Sequence, residues 1–243
     1  MNLAIDIGNT SLKKASFSDS KVSNIKHIDY SKNNFKKLLF SLKKDLDKYD
    51  NIYICSVVPE LDIIIKKQLS KSKIHFINKK LLKSYVHKTV NLKQLGIDRL
   101  VNVLSVNRIY PKNKNFIIID LGTATTLDLI INSQYFGGAI LPGLKTSYAN
   151  LISLASGINS ISFQELNDVI GKDTKGALLS GFNTGYKLMI EAYIKKLISI
   201  YKLRFKVIFT GGYASNILNK QTKYLYKEDL TLLGIAHYHN LTK

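Results

Sequence analysis

An acidic residue follows a run of apolar residues near the middle of the chain. Phe116–Ile119 are four apolar residues, three of them β-branched, and Asp120 comes directly after them. This composition predicts a strand covered on both faces, a sharp turn at Gly122 and a second strand beyond it. An ionised carboxylate at the end of a buried strand needs a cation or hydrogen-bond donors nearby. The hydroxyls within Thr123–Thr126 and the amides around the glycine suit phosphate oxygens.

The same pattern occurs near the N-terminus. Leu3–Ile5 are apolar, Asp6 follows, and Gly8 is joined by small amide and hydroxyl side chains at Asn9–Ser11. Either turn alone could be a hairpin whose aspartate caps its own turn. Two copies of one turn in a single chain favour a pair of phosphate-binding turns.

A third signal lies in the last quarter of the chain. Phe205–Phe209 predicts an apolar strand that leads to Gly211 and Gly212, with a helical segment at Asn216–Leu218. Paired glycines let a flat ligand such as an adenine base lie against the backbone. A plain strand-to-helix turn fits this motif equally well.

Strands and helices alternate along the chain, which predicts an α/β fold with a parallel or mixed sheet. In the first half, the predicted strands are Ser11–Phe17, Ile52–Val58 and Ile74–Ile77, and the predicted helices are Asp29–Tyr49, Leu61–Leu69 and Gly96–Tyr110. In the second half we predict a hairpin through Asn132–Ser133, a helix after Pro142 and a long helix at Lys175–Tyr201. The best domain boundary follows Pro111 and divides the chain into halves 1–112 and 113–243.

The long predicted helix contains Gly176, Gly181 and Gly185. Each glycine costs a helix about 1 kcal/mol relative to alanine. Close approach of another helix, from this chain or from a second subunit, would compensate for that cost.

The chain is strongly basic. Among its 243 residues, 36 are Lys or Arg and 17 are Asp or Glu, which gives a formal net charge of +19. Such a charge suggests nucleic acid or an acidic membrane surface as a partner. Only Arg99, Arg108 and Arg204 are arginine, however, and the lysines form scattered doublets typical of solvated helix faces. We therefore expect a lysine-rich surface with some attraction for anionic substrates, and no nucleic-acid partner.

Composition also indicates the size of the hydrophobic core and the cellular compartment. A hydrophobic content of 45% is enough for one large domain or two smaller ones. Cys55, the only cysteine, lies in an apolar run, so we expect a buried structural thiol and a reducing compartment. No apolar run is long enough to span a membrane, and the N-terminus lacks a signal-peptide pattern, so we expect a soluble, cytoplasmic protein with no membrane partner.

Five motifs, in order along nearly the whole chain, resemble those of the type III pantothenate kinases. They are Asp6–Lys13, Ser56–Pro59, Gly96–Arg99, Asp120–Thr126 and Gly137–Gly143. This family lies within the superfamily of actin, sugar kinases and heat-shock chaperone ATPases. The resemblance implies an α/β fold of two similar ribonuclease-H-like halves, with mixed sheets flanked by helices and an ATP cleft between them. It also implies a homodimer, with dimerisation helices in the second half.

The resemblance implies an activity and its cofactors. The activity is ATP-dependent phosphorylation of pantothenate to 4′-phosphopantothenate, the first step of coenzyme A biosynthesis. The cofactors are ATP with Mg²⁺ and a monovalent cation, K⁺ or NH₄⁺. A divalent cation is expected because phosphoryl transfer requires neutralisation of charge on the phosphate oxygens.

The resemblance also assigns residues to these ligands. The ATP-binding residues would be Asp6, Ile7, Gly8, Asn9, Thr10, Ser11, Leu12, Lys13 and Thr123. The residues that bind pantothenate would be Gly96, Ile97, Asp98, Arg99 and Thr174, the last across a dimer interface. Asp120 would hold the monovalent cation, and Asp6 would be the protein group nearest to Mg²⁺.

Asp98 would be the general base. A primary alcohol that attacks the γ-phosphoryl group must lose its proton as the bond forms, and a carboxylate within hydrogen-bond reach can accept it. An aspartate after a glycine at a helix start is also an ordinary N-cap, and this alternative stays open. The chain departs from the family at Thr89–Leu95, which lacks the proline and aromatic residue often found there. Tyr85 is the nearest aromatic residue upstream.

Other kinds of site find little support in the sequence. His27, His75 and His87 are scattered, and His237–His239 has no acidic partner at ligand spacing, so no transition-metal site is expected. No Gly-x-x-x-x-Gly-Lys-Ser/Thr loop is present, which argues against a P-loop kinase. Two alternatives remain: a superfamily kinase or phosphatase for another alcohol or polyphosphate, and a regulatory or nucleic-acid-binding relative without catalysis.

Overall fold

The computed structural model describes residues 1–30, 39–40, 42–44, 48–69, 73–155, 162–164, 168–218 and 224–242. The strands are β1 (Asn2–Ile7), β2 (Ser11–Ser18), β3 (Lys21–Asp29), β4 (Ile52–Ser56), β5 (Ile74–Phe76), β6 (Phe116–Leu121), β7 (Ala124–Ile131), β8 (Gln134–Pro142), β9 (Lys206–Thr210) and β10 (Leu225–Tyr226). The α-helices are α1 (Pro59–Gln68), α2 (Ile97–Ile109), α3 (Leu144–Leu154), α4 (Thr174–Ser180), α5 (Tyr186–Tyr201), α6 (Ala214–Ile217) and α7 (Leu230–His239). A 3₁₀ helix spans Lys79–Tyr85, and a π-helical stretch at Gly181–Gly185 joins α4 to α5.

The first sheet has five strands in the order β3-β2-β1-β4-β5. Its central strand, β1, pairs antiparallel with β2 and parallel with β4. Leu3 and Ile5 of β1 pack with Ile54 of β4 and Ile65 of α1 in one apolar core. The sheet is mixed because two hairpins supply its antiparallel pairs, while β4 and β5, which are joined by α1, run parallel to β1.

The second sheet has the order β8-β7-β6-β9-β10, which repeats the order of the first. Its central strand, β6, pairs parallel with β9, and Asp120 is the register partner of Thr210. Ile117–Ile119 are fully buried, as the run of β-branched residues predicted. The prediction of two similar α/β halves with mixed sheets is therefore confirmed.

The chain forms two compact units, each built from more than one segment. The first consists of Met1–Lys114, Ile130–Phe136 and Asp229–Lys243, and the second of Asn115–Leu129 and Gly137–Glu228. In the first unit α7 packs against α2, where the buried Thr231 hydroxyl donates to Asn102 Oδ1 at 2.9 Å. The assignment of domains to residues 1–112 and 113–243 stays a prediction.

Most predicted elements are confirmed within two or three residues. The β7–β8 hairpin turns at Asn132 and Ser133, whose φ angles of 50° and 67° suit a two-residue hairpin loop. The long predicted helix is helical from Thr174 to Tyr201, with the π-helical stretch at its glycines. In the predicted helix Asp29–Tyr49, residues 39–40 and 42–44 are helical, Asp29 instead ends β3, and residues 31–38, 41 and 45–47 lie outside the described part.

Four of the described elements were not predicted: β3, β10, α7 and the 3₁₀ helix. For β3 and α7 the physical reasons differ. Strand β3 is largely exposed along its length, so it carries no alternation of apolar and polar residues. Helix α7 is buried on nearly every side, and a helix that is apolar all round shows no amphipathic period. In the described residues, no helix has both the length and the apolar character needed to cross a membrane.

Candidate active site

The β1–β2 hairpin carries the first predicted phosphate turn. Asp6 lies near the end of β1, as the cross-strand partner of Lys13 on β2. The next pair toward the turn is Ile7 with Leu12, and both side chains are fully buried. The apolar pair fixes the hairpin in the core, so Asp6 and Lys13 are held at the base of the turn.

Tyr30 secures this turn from outside the motif. The Gly8 N–H donates to the Ser11 carbonyl at 2.9 Å, which closes the turn. The Tyr30 N–H donates to the Thr10 carbonyl at 3.0 Å, and its hydroxyl donates to the Gly8 carbonyl. Burial, followed by the negative charge of Asp6, raises the pKa of Tyr30. Tyr30 was not predicted as a site residue because it lies beyond the motif at the end of β3.

Asp6 and Asp98, far apart in sequence, lie around the end of β4. Cys55 on β4 is the register partner of Asp6 and is fully buried, as predicted for a structural thiol. Burial raises the pKa of the Cys55 thiol well above its ordinary value, and the charges of Asp6, Asp98 and Asp62 raise it further. The first unit therefore places the predicted base and the aspartate of the first phosphate turn beside the same buried strand end.

Helix α2 positions Asp98 through its first turn. Gly96 is the N-cap of this helix, so Asp98 is not the N-cap residue and lies within the first turn instead. A Cβ atom on Gly96 would lie 2.5 Å from Asp98 Oδ1. Glycine at position 96 therefore leaves room for the carboxylate beside the helix start.

Opposing effects act on the Asp98 carboxyl. Burial is the largest and raises its pKa above the ordinary value. The backbone N–H of Arg99 donates to the carboxylate, and the charges of Arg99 and Lys79 also favour the ionised form. Because burial dominates, Asp98 is a stronger base than an exposed aspartate.

Tyr135 holds the Arg99 side chain. The guanidinium carbon of Arg99 lies 5.3 Å from the centroid of the Tyr135 ring, in a cation–π contact. Tyr135 is buried on β8, and its carbonyl accepts the His87 N–H at 3.0 Å. The chain lacks an aromatic residue just before Gly96, and the aromatic partner of Arg99 comes instead from a distant hairpin. The sequence around Tyr135 gave no signal that this residue would contact Arg99.

The second predicted phosphate turn follows β6 in the second unit. Asp120 is near the strand end, and its carboxylate lies against the backbone of Gly211, where a Cβ atom would be 2.6 Å from Asp120 Oδ1. Gly211 has a φ of 90°, which only glycine adopts readily. The Gly-Gly motif therefore leaves space for the carboxylate, and the two predicted motifs meet at the ends of the parallel strands β6 and β9.

Thr123 is tied to the start of α3. Its carbonyl accepts the Gly143 N–H at 3.0 Å and the Thr146 hydroxyl at 2.8 Å. A Cβ atom on Gly143 would lie 2.8 Å from the Thr123 carbonyl carbon, so this close contact requires glycine. The Thr123 side chain remains exposed.

The other hydroxyls near this turn are placed differently. Thr125 is fully buried, and its Oγ1 lies 2.7 Å from the Tyr186 hydroxyl, which donates to the Pro142 carbonyl at 2.9 Å. Thr125 is therefore part of the packing between β7 and α5. Among these threonines, Thr123 is the one whose exposed side chain is suited to contact a ligand.

Thr174 lies at the start of α4 in the second unit. The preceding Asp173 is the N-cap, and its Oδ1 accepts the Gly176 N–H at 2.6 Å. Thr174 is exposed. Its predicted contact with substrate across a dimer interface stays a prediction.

The donor set fits the ions that the sequence predicts. Among the residues that the structure describes, no three His, Cys, Asp or Glu side chains cluster as metal ligands. Mg²⁺ commonly binds through one or two carboxylates together with substrate phosphates and water, so Asp6 would suffice as its protein ligand. The Asp120 carboxylate would offer oxygen ligands to a larger monovalent cation.

The comparisons with known sequences agree on one family. The family model described as type III pantothenate kinase matches residues 2–196. A type III pantothenate kinase of Pelagibacter ubique is 35% identical over 98% of this chain and 98% of its own length. Another, of a Sulfurihydrogenibium species, is 33% identical over 97% of this chain and 98% of its own length.

Solved structures support the fold. A protein described as a Baf family transcriptional activator from Campylobacter jejuni has a TM-score of 0.65 and 24% identity, over 99% of this chain and 100% of that one. The inorganic polyphosphate/ATP-glucomannokinase from an Arthrobacter strain has a TM-score of 0.55 and 13% identity, over 99% and 98% of the two chains. At these identities the likeness concerns the fold alone.

The raised pKa of Asp98 predicts how its removal changes stability with pH. The pKa of Asp98 is higher in the folded protein than in the unfolded chain, so ionisation of Asp98 lowers the stability of the folded state. This loss begins as pH rises through the ordinary carboxyl pKa and is complete above the folded-state pKa. Asp98→Asn should therefore gain stability relative to the parent as pH rises from about 4 to about 7. Urea unfolding across that range measures the difference, with Asp19→Asn as the control for an exposed carboxylate. A constant difference at all pH values would contradict the prediction.

Proposed function

The chain belongs to the type III pantothenate kinase family, and we propose how its own residues phosphorylate pantothenate to 4′-phosphopantothenate with ATP. The observation that carries the proposal is the placement of Asp6 and Asp98 around the end of β4, with Arg99, the neighbour of Asp98, held by Tyr135. One carboxylate belongs to the predicted phosphate turn and the other to the predicted substrate motif. The two functions therefore adjoin in the first unit.

Asp98 acts as the general base. The primary hydroxyl of pantothenate attacks the γ-phosphorus, its proton passes to the Asp98 carboxylate, and the bond from the γ-phosphorus to the β–γ bridging oxygen breaks to release ADP. A raised pKa makes the carboxylate a better proton acceptor. The Arg99 N–H, which donates to the same carboxylate, fixes its orientation.

Residues 6–13 and Thr123 bind ATP. In the first turn, the exposed Asn9 and Thr10 side chains and the adjacent amides can donate to phosphate oxygens, and Lys13 supplies positive charge. Ile7 and Leu12 are buried, so they support the turn through packing. Mg²⁺ bound to ATP near Asp6 would neutralise charge on the β- and γ-phosphate oxygens.

Residues 96–99 and Thr174 bind pantothenate. Arg99 is oriented by the Tyr135 ring, so its guanidinium can donate to the pantothenate carboxylate or to oxygens near the reacting centre. The Ile97 side chain is buried, which restricts its part in binding to the backbone. Gly96 gives the substrate hydroxyl close access to Asp98 because no side chain covers the carboxylate there.

Asp120 holds a monovalent cation. Its carboxylate lies beside the Gly211 backbone at the carboxyl ends of β6 and β9, where a bound cation would balance its charge. K⁺ or NH₄⁺ at this position would also neutralise part of the charge of nearby phosphates.

The chain works as a homodimer. Exposed apolar side chains concentrate in the second unit, including Leu151 and Leu154 on α3 and Leu188 and Met189 on α5. Apart from their chain neighbours and the backbone of their own helix, Cβ atoms on Gly181 and Gly185 would meet no heavy atom within 4 Å in the described part of this chain. An apolar face with glycines open to close approach fits the packing of a second copy. Thr174 begins the same helical run, which brings it near the proposed interface.

The two alternatives are less well supported. The family model and the relatives are named as pantothenate kinases. A kinase for another alcohol would have to bind a substrate other than pantothenate at Gly96–Arg99. The likeness to the Campylobacter protein concerns the fold and adds no support for nucleic-acid binding.

Asp98→Asn tests the catalytic role. We expect kcat for pantothenate phosphorylation to fall by about 10²–10⁴-fold, because the proton acceptor is lost. ATP affinity, measured by calorimetric titration, should stay within about twofold because the residue is outside the ATP turn. Near-normal turnover would remove Asp98 from the mechanism, and failure of the parent protein to phosphorylate pantothenate would overturn the proposed activity itself.

Replacement of K⁺ by Na⁺ tests the role of Asp120. The rate of pantothenate phosphorylation should fall at least about tenfold in Na⁺ if a K⁺-sized cation is bound, since an oxygen-lined site discriminates by ligand geometry. Asp120→Asn should abolish the difference between the two salts. An equal rate in both salts for the parent protein would contradict the proposed cation site.

Leu188→Glu tests the dimer. Burial of a charge in an apolar interface is unfavourable, so the variant should sediment with the mass of one chain where the parent sediments as two. The matched control is Ile63→Glu, on an exposed apolar position of α1 in the first unit, which should remain dimeric. A monomeric parent protein, or equal effects of both variants, would contradict the assignment of the interface.

A further inference from the structure

Lys145 lies over an aromatic ring beside the second phosphate turn. Its Nζ is 4.6 Å from the centroid of the Tyr213 ring. Lys145 is the second residue of α3, and Tyr213 directly follows Gly211–Gly212. None of the five family motifs includes either residue.

Both residues belong to segments that are hydrogen-bonded to the turn. The Tyr213 N–H donates to the Leu121 carbonyl at 3.1 Å, which fixes Tyr213 to the end of β6. Gly143 and Thr146, which flank Lys145 on α3, both donate to the Thr123 carbonyl. The contact between Lys145 and Tyr213 therefore joins the two segments that hydrogen-bond to the Leu121–Thr123 turn.

The position is suited to an anion. Ligands of open α/β sheets bind outside the carboxyl ends of the strands, and the turn follows β6 where β6 runs parallel to β9. The first turn of α3 contains no acidic residue, and Lys145 is exposed. A cation at this end of a helix opposes the helix dipole, so the helix itself gives no reason for a lysine at this position.

We propose that Lys145 binds nucleotide phosphate above the Leu121–Thr123 turn, with Tyr213 as the platform that directs its ammonium there. The proposal rests on the proposed function, because it takes the ligand of the turn to be ATP. A cation–π contact at an exposed site is weaker than a charge-assisted hydrogen bond to phosphate, so the ammonium can leave the ring for the ligand. Lysine suits this task because its flexible stem carries a compact charge.

A purely structural role makes a different prediction. If the contact with Tyr213 only fastens α3 to the strand ends, loss of the ammonium should lower thermal stability and weaken all adenine nucleotides equally. A phosphate-binding role instead weakens nucleotides in proportion to their phosphate charge. The number of phosphates therefore separates the two roles.

The experiment measures ATP, ADP and AMP affinities of the parent protein and of Lys145→Met by calorimetric titration. Methionine keeps much of the apolar stem and removes the charge. We expect ATP and ADP affinities to fall about tenfold, and AMP affinity to change less than about twofold. Lys145→Arg should restore most of the ATP affinity, because it returns the charge.

The control is Lys112→Met, which removes the same charge from an exposed turn of the first unit. It should leave all three affinities unchanged and separates a local effect from the change in net charge. Equal losses for ATP and AMP, or equal effects of Lys145→Met and Lys112→Met, would overturn the proposal. Pantothenate phosphorylation by the parent protein is assayed in parallel, and its absence would overturn the proposed function, whatever the Lys145 result.

Discussion

The charge of partly buried carboxylates is the constraint on which the site depends. A carboxylate near the end of a buried strand or helix start loses water, and its ionised form must be balanced by donors or cations. The Asp98 carboxylate accepts a hydrogen bond from the Arg99 N–H, and the positive charges of Arg99 and Lys79 favour its ionised form. Burial nevertheless raises its pKa. Asp6 is paired in register with Lys13, and Asp120 lies against the Gly211 backbone. Each aspartate is thus placed where a substrate, nucleotide or cation would complete its surroundings.

Backbone hydrogen bonds fix the turns that carry these carboxylates. Tyr30 donates hydrogen bonds to the Thr10 and Gly8 carbonyls of the first turn. In the second turn, the Thr123 carbonyl accepts two hydrogen bonds from the start of α3. Close contacts at Gly143 and Gly211 leave no space for a Cβ atom. Rigid turns of this kind hold their amides and side chains in place before a ligand arrives, which reduces the reorganisation that phosphoryl transfer would otherwise require.

The positive charge of the chain has more than one consequence. Most lysines in the described part of the chain are exposed, and the charge as a whole favours the approach of anionic substrates. A few basic residues have local roles that the net charge of the chain does not reveal. Arg99 is held by Tyr135, and Lys145 is held by Tyr213. In both pairs an aromatic ring restricts a flexible cation, so the charge is directed to one side of its element.

The sequence alone determined the fold class, the repeated halves and the motifs, because these depend on local patterns. A run of β-branched residues before Asp-x-Gly specifies a buried strand and a turn wherever it occurs, and two copies predict two similar sheets. The sequence could not reveal β3 or α7, since the exposed strand shows no alternation and the buried helix shows no amphipathic face. It also left open whether Asp98 was an N-cap, which the helix start at Gly96 decided. Only the tertiary structure brought Tyr30 to the first turn, Tyr135 to Arg99 and Tyr213 to Lys145, because such contacts join residues far apart in the chain and depend on how strands and helices pack.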